Sequence, residues 1–176
     1  MANHGEEVVH HQPGDPALNQ IGHHITAASM AAAGAACALP YCDITQITVG
    51  VIAAIAGASA PDWLEGAFTI PLTGKTIRFI PHRTLTHLPW AWAIMILVGI
   101  IHLPSTWGVA ITAFAAAGLL HLVMDLLSPM GIPLLIPFAP RTSLHGYRVG
   151  AISEAVTIVT TSGTFVAIAA AIVSHT

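Results

Sequence analysis

The chain has 176 residues, of which 55% are hydrophobic and 7% are charged, and its formal net charge at pH 7 is -3. Globular domains carry about 25% charged residues, so this chain has too few polar side chains to cover the surface of a soluble domain. The composition excludes a disordered chain, a coiled coil and a secreted disulfide scaffold. It predicts a protein that crosses a membrane several times.

A polar N-terminal arm is predicted over residues 1–20, followed by one membrane-embedded helical domain over residues 21–176. The arm contains Glu6, Glu7 and Asp15 and lacks the basic-then-apolar pattern of a cleavable signal peptide. The rest of the chain has no internal repeat and no low-complexity linker, which indicates a single domain.

Apolar runs along the domain predict an all-α bundle of about five transmembrane helices, because a helix that crosses the hydrocarbon core needs about 20 apolar residues. The runs are rich in small residues, which allow close helix packing. They are Ile25–Leu39, Ile44–Ala60, Leu88–Leu103, Trp107–Leu127 and Ala151–Ser174. A further stretch, Ile132–Ala139, is too short to cross and contains prolines, so we expect a re-entrant or interfacial loop there.

All five basic residues lie in two of the predicted loops. Lys75, Arg78 and Arg83 fall between the second and third runs, whereas Arg141 and Arg148 fall between the fourth and fifth. Basic residues concentrate in cytoplasmic loops. We therefore expect a multi-pass protein with both loops and the N-terminus on the cytoplasmic side.

Ionisable residues gather at this same cytoplasmic end of the predicted spans. They are His23 and His24 at the opening of the first span, Asp62 at the close of the second with Glu65 just after it, His82 and His87 before the third, His121 and Asp125 at the end of the fourth, and Glu154 at the start of the fifth. Such residues at the borders of spans are costly to maintain and mark functional sites. Imidazoles and carboxylates are metal ligands, so their convergence predicts a metal site.

The spacing of His121 and Asp125 supports this prediction, because residues four apart lie on one face of a helix. A hydrogen-bonded structural pair is the alternative, and the other ligand-type residues at the same end favour the metal site. Other ionisable residues of the chain have simpler interpretations: His24 is a neighbour of His23, and Asp43 is an N-cap for the second span. His102 is an interfacial residue at the opposite end.

Four sequence motifs and a Pro-Gly-rich segment occur in a fixed order between Gly22 and Glu154. They are Gly22-His23, Pro61-Asp62, His82-Arg83-Thr84-Leu85-Thr86-His87, His121-Leu122-Val123-Met124-Asp125 and residues 127–135, with Glu154 four residues after Gly150. This pattern resembles the YdjM-like family of membrane-bound metal-dependent hydrolases. One departure is that many members have a second Asp and a His after Asp62, where this chain has Trp63, Leu64 and Glu65. A more distant resemblance is to the all-helical zinc phospholipase C and P1 nuclease group.

The resemblance implies a hydrolase at the cytoplasmic face of the bacterial inner membrane. Its substrate would be a phosphoester of a phospholipid or lipid-linked molecule, attacked by a metal-activated water. One to three divalent ions, with zinc the expected metal, would be bound by His23, Asp62, His82, His87, His121 and Asp125. Glu65 or Glu154 would be the general base, and Arg83 would hold the phosphate.

Two other functional classes stay open at this point. A non-catalytic membrane module could use its metal for structure and bind a protein partner; the missing Asp and His after Asp62 favour this class, because catalysis needs an open metal position. A metal or ion transporter is disfavoured, because the ligands cluster at one end of the spans instead of at the midplane. The small-residue faces permit a homo-oligomer, and no nucleic-acid partner is expected.

Overall fold

The computed structural model of the protein describes residues 16–69 and 76–175. Most of the predicted polar arm, together with Lys75, lies outside these residues. Within them the chain forms six α-helices, namely α1 (Pro16–Ala38), α2 (Ile44–Gly57), α3 (Ala60–Trp63), α4 (Pro89–Ile101), α5 (Thr106–Leu127) and α6 (Ile152–His175). A single 3-10 turn over Leu85–His87 directly precedes α4 in this part of the chain.

Each predicted apolar run coincides with a helix, but two boundaries were wrong. Helix α1 begins at Pro16, so that His23 lies inside the helix and not at its opening. Helix α2 ends at Gly57, and Asp62 lies in the separate single turn α3. Proline lacks a backbone N–H and fits only the first turn of a helix. Pro61 therefore starts α3 and cannot continue α2.

The predicted all-α class is confirmed by the six helices, with one small addition. Two short strands, β1 (Ala67–Thr69) and β2 (Thr76–Arg78), pair in antiparallel register between α3 and the 3-10 turn. Their residues include Phe, Ile and two Thr, types that favour strands. Residues 70–75, which connect the strands, lie outside the described residues.

The N-terminus of α2 is capped as predicted. The Asp43 carboxylate accepts a hydrogen bond from the Gln46 backbone N–H at 2.9 Å, and the Gln46 side chain accepts one from the Asp43 N–H at 2.9 Å. This reciprocal capping box satisfies two backbone donors that the helix leaves unpaired. It fixes the start of α2 at the end remote from Asp62.

Helix α5 is central to the bundle: it packs against α2 and α4 and also contacts α1, while α6 packs along α1. The contact between α1, α2 and α5 is built from buried alanines, namely Ala27, Ala31, Ala54, Ala58 and Ala117. Small side chains let helix backbones approach closely. The C-terminal ends of α2 and α5 thereby meet the N-terminal half of α1, which is where the ionisable residues lie.

Gly57 provides a test of this close packing. A Cβ at this position would overlap the backbone carbonyl oxygen of Phe114 in α5. We therefore expect Gly57→Ala to force α2 away from α5 and to lower the free energy of unfolding by about 1–3 kcal/mol, the usual cost of overpacking. Thermal unfolding in detergent measures the effect. The matched control is Gly34→Ala in α1, where a Cβ meets no atom within 4 Å; equal melting temperatures for both variants would contradict the prediction.

Two of the described helices, α5 with 22 residues and α6 with 24, are long and apolar enough to cross a membrane. Helices α2 and α4 are apolar but shorter. Helix α6 exposes Val156, Val159 and Val166 on its outer surface, as expected for a helix that faces lipid. The stretch Ile132–Ala139 contains no helix.

Candidate metal centre

Imidazole and carboxylate side chains from α1, α3, α5 and the turns before α4 meet at one end of the bundle. Their potential ligand atoms form two sets, and within each set all atoms lie within 4.8 Å of one another: Asp62, Glu65, His82 and His87 in the first, and His23, His121 and Asp125 in the second. The structure thus brings together all six residues expected as metal ligands, and it adds Glu65 to them.

Four of these side chains have the spacing of donors around one ion. His87 Nε2 lies 3.5 Å from Asp62 Oδ1 and 3.4 Å from Asp125 Oδ2. His121 Nε2 lies 3.7 Å from Asp62 Oδ2 and 3.5 Å from Asp125 Oδ2. Zinc bonds of about 2.0–2.1 Å to nitrogen and oxygen place tetrahedral donors about 3.3–3.4 Å apart. These four residues, which we call the central donors, have four donor–donor distances close to this spacing and could hold a divalent cation.

Three atoms of the central donors are buried without a hydrogen-bond partner: His87 Nε2, His121 Nε2 and Asp125 Oδ2. A buried polar atom that lacks a partner costs free energy. His87 Nε2 and His121 Nε2 lie 3.4 and 3.5 Å from Asp125 Oδ2, so the three atoms are placed to share a cation. His121 is also in the correct tautomer. Its Nδ1 lies 2.8 Å from the Ala58 carbonyl oxygen, which can only accept, so Nδ1 carries the proton and Nε2 presents its lone pair.

The remaining members of the two sets surround the central donors. The Glu65 carboxylate is fully buried and lies 2.8 Å from His82 Nδ1 and 3.4 Å from His87 Nδ1. His23 stacks on His121 with ring centroids 3.9 Å apart, and its Nε2 is 3.9 Å from Asp125 Oδ1. The side chains of Asp62 and His82 are 31% and 27% exposed, so the site opens to solvent on their side.

The charges of the site also favour a cation. Three carboxylates, those of Asp62, Glu65 and Asp125, lie with the buried guanidinium of Arg83, and the exposed Arg141 donates to the His82 carbonyl at 2.8 Å. The carboxylates outnumber the guanidinium groups, so the site has an excess of negative charge when the histidines are neutral. Buried charges need compensation, because their desolvation is costly.

The pKa values of Asp62 and His87, which lie outside the long helices, reflect the same excess of negative charge. Burial raises the pKa of the Asp62 carboxyl, but the neighbouring imidazoles of His87 and His121 outweigh it and hold the pKa below its ordinary value. Burial lowers the pKa of the His87 imidazole, but the neighbouring carboxylates of Asp125 and Asp62 outweigh it and hold that pKa above its ordinary value. The carboxylates thus stabilise positive charge between them, as they would stabilise a cation.

The predicted catalytic residues take different positions. Glu65 belongs to the first set, next to His82 and His87. Glu154 is buried in the first turn of α6 but belongs to neither set, and its Oε2 accepts a hydrogen bond from the Gly150 N–H at 2.6 Å. Glu65 is therefore the better placed of the two candidate general bases.

The third predicted catalytic residue, Arg83, is only 5% exposed. Its Nη2 donates to Asp125 Oδ1 at 2.7 Å. The guanidinium is thus paired with a central donor, and its predicted role in phosphate binding stays a prediction.

Sequence reasoning missed the groups that hold these side chains in place. The Ser128 hydroxyl lies 3.3 Å from Arg83 Nη1 and donates to the Asp125 carbonyl at 2.7 Å. The carbonyls of Ala58 and Gly131 accept from His121 and Arg83. Ser128 could have been found from its place directly after α5, whereas backbone carbonyls leave no signal in a sequence.

The family model of the YdjM inner membrane protein matches residues 22–175, a range that contains the whole centre. No curated protein and no solved structure gives a significant match to the chain. The family description and the two apolar helices α5 and α6 together support a membrane location. The chain therefore belongs to the YdjM inner membrane protein family.

Proposed function

We propose that this protein is a zinc-dependent hydrolase that cleaves a phosphoester of a phospholipid or lipid-linked substrate at the cytoplasmic face of the bacterial inner membrane. The observation that carries the proposal is the set of three buried, unpartnered ligand atoms on His87, His121 and Asp125, which face one another and the Asp62 carboxylate. Such a set is suited to a divalent cation of tetrahedral preference.

The proposed hydrolysis uses the side of the site that is open to solvent. Zinc, when bound, lowers the pKa of a coordinated water and polarises a phosphoryl oxygen. Asp62 and His82 border the opening, so water and a phosphate would enter beside them. Glu65 lies within hydrogen-bond distance of His82 Nδ1, at 2.8 Å. This pair would accept a proton from the attacking water and hold it on the imidazole.

Substrate class is proposed from the depth of the site in the membrane. We assign five crossings to α1, α2, α4, α5 and α6, with the loops that carry the basic residues in the cytoplasm. The loop at Ile132–Ala139 exposes Leu135, Ile136 and Phe138. Its irregular backbone needs water for its hydrogen bonds, which supports a position among the lipid headgroups instead of the hydrocarbon. A phosphoester at headgroup depth would then lie beside the centre.

The test uses the full chain, purified and reconstituted into nanodiscs that contain phosphatidylglycerol and phosphatidylethanolamine. We expect bound zinc by elemental analysis and release of a phosphorylated or dephosphorylated lipid product by mass spectrometry. A chelator should abolish turnover, and added zinc should restore it. A preparation without any bound divalent metal, or one that binds metal and cleaves no phosphoester, would refute the proposal.

A second candidate is a non-catalytic membrane module with a structural metal site that binds a protein partner. It is favoured by the number of central donors, because four protein ligands complete the shell of a structural zinc ion. The same nanodisc experiment separates the two functions. A structural site predicts that the chelator lowers the melting temperature while no turnover is seen before or after its addition.

A further inference from the structure

Arg83 has an unusual backbone conformation for a residue with a side chain. Its φ of 57° lies in the left-handed region, which is disfavoured for residues other than glycine. Such strained residues persist only where the surrounding contacts hold them, and they cluster at functional sites. The contacts that hold Arg83 all involve the metal centre or the loop after α5.

The side chain and the backbone of Arg83 each hold a carboxylate. Nη2 donates to Asp125 Oδ1 at 2.7 Å, and the backbone N–H donates to Glu65 Oε1 at 2.8 Å. Nη1 lies within hydrogen-bond distance of the Ser128 hydroxyl at 3.3 Å and the Gly131 carbonyl at 3.1 Å. One residue from the turn before α4 thus fixes a carboxylate from each of the two donor sets.

These contacts have a direct consequence for Asp125. Because Arg83 occupies Oδ1, the carboxylate presents its unpartnered Oδ2 to His87 and His121. Ser128 and Gly131 hold the guanidinium from its other side and set the angle of the pair. The N–H of Nη2 that bonds Asp125 is closed to a substrate phosphate unless the carboxylate is displaced, and the guanidinium, with its Nε, is buried.

We propose that Arg83 is a positioning residue for the metal centre, which orients Asp125 and Glu65, and that it does not bind the substrate phosphate. This inference rests on the metal centre of the proposed function. It assigns a role that does not depend on which phosphoester the protein cleaves.

The experiment compares Arg83→Gln, Arg83→Lys and Ser128→Ala in the full chain. Zinc affinity is measured by competition with a chromogenic chelator, and the ligand geometry is measured by the visible absorption of the cobalt-substituted protein. Loss of an outer residue that orients a ligand lowers metal affinity by about 10–100-fold, which we expect for Arg83→Gln together with a changed cobalt spectrum.

Arg83→Lys should rescue part of the affinity, because it keeps the charge but loses the planar fork. Ser128→Ala should shift the spectrum in the same direction by less.

Arg148→Gln is the matched control, because Arg148 is an exposed arginine in the loop between α5 and α6. It should leave both measurements unchanged. A phosphate-binding role for Arg83 predicts the reverse pattern: unchanged zinc affinity and cobalt spectrum in Arg83→Gln, with weaker inhibition by inorganic phosphate. That pattern would overturn the inference and leave the proposed function intact.

If Arg83→Gln does not fold, Arg83→Lys and Ser128→Ala decide the question, and an unchanged cobalt spectrum in both overturns the inference. A wild-type chain that binds no metal overturns the inference together with the proposed function.

Discussion

Asp125→Asn is expected to remove bound zinc and to reduce hydrolysis to the uncatalysed rate. Asp125 is 1% exposed, and its two oxygens serve different partners. Oδ1 accepts from Arg83, while Oδ2 faces His87 and His121. The substitution keeps the shape of the side chain but removes the negative charge that the cation and the guanidinium share. Elemental analysis and the nanodisc assay measure the two losses.

The same substitution should lower the melting temperature of the metal-free protein. Breaking a buried ion pair costs up to about 3–5 kcal/mol, because the remaining charge is left uncompensated, and Asn retains an acceptor that reduces this cost. The matched control is Asp43→Asn at the opposite end of α2. Asn is as good an N-cap as Asp, so zinc content and melting temperature should stay at wild-type values. Full zinc occupancy in Asp125→Asn would exclude Asp125 from the centre.

The sequence was sufficient to predict that the residues of the two donor sets meet at one end of the bundle. Each one borders an apolar run, and antiparallel helices place alternate ends of the runs on the same side. The spacing of His121 and Asp125 fixed their common face, since residues four apart on a helix are neighbours. Helix α5 confirms that both lie in its last turns. The helical periodicity and the alternation of helix directions were therefore sufficient to predict which residues lie at the same end of the bundle.

The contact between Arg83 and Asp125 could not be predicted in this way. The two residues are 42 positions apart, and their pairing depends on the left-handed backbone at Arg83, which no propensity of arginine indicates. From the sequence alone, an arginine between two candidate ligands indicated phosphate binding. The structure instead shows its guanidinium against a carboxylate of the centre.

Glu65 is an intermediate case. The family resemblance implied a second Asp and a His after Asp62, which this chain lacks, so the sequence left open whether a ligand is lost. Asp62 and Glu65 are three residues apart at the single turn α3, and both approach His82 and His87. Glu65 is therefore close enough to take part in the centre, although its position depends on the turn that ends α2 at Gly57.

His121→Ala provides the second large expected effect, because it removes a central donor and a structural contact at once. His121 is 2% exposed, and its Nδ1 donates to the Ala58 carbonyl at 2.8 Å. Loss of the ring leaves that carbonyl unpartnered and opens a cavity, and truncation of large buried side chains to Ala costs about 2–5 kcal/mol. We expect a lower melting temperature and loss of zinc.

These two losses have different causes, and added imidazole separates them. Free imidazole can enter the cavity and supply a nitrogen donor, so it should restore part of the zinc affinity if His121 is a ligand. His102→Ala is the matched control, because His102 makes the same kind of bond from Nδ1 to a backbone carbonyl, that of Val98 at 2.7 Å, but is exposed at the other end of α4. It should leave zinc content unchanged. If His121→Ala retains zinc and only its stability falls, the His121–Asp125 pair is a structural contact, and the cation must be bound by the set that contains Glu65 and His82.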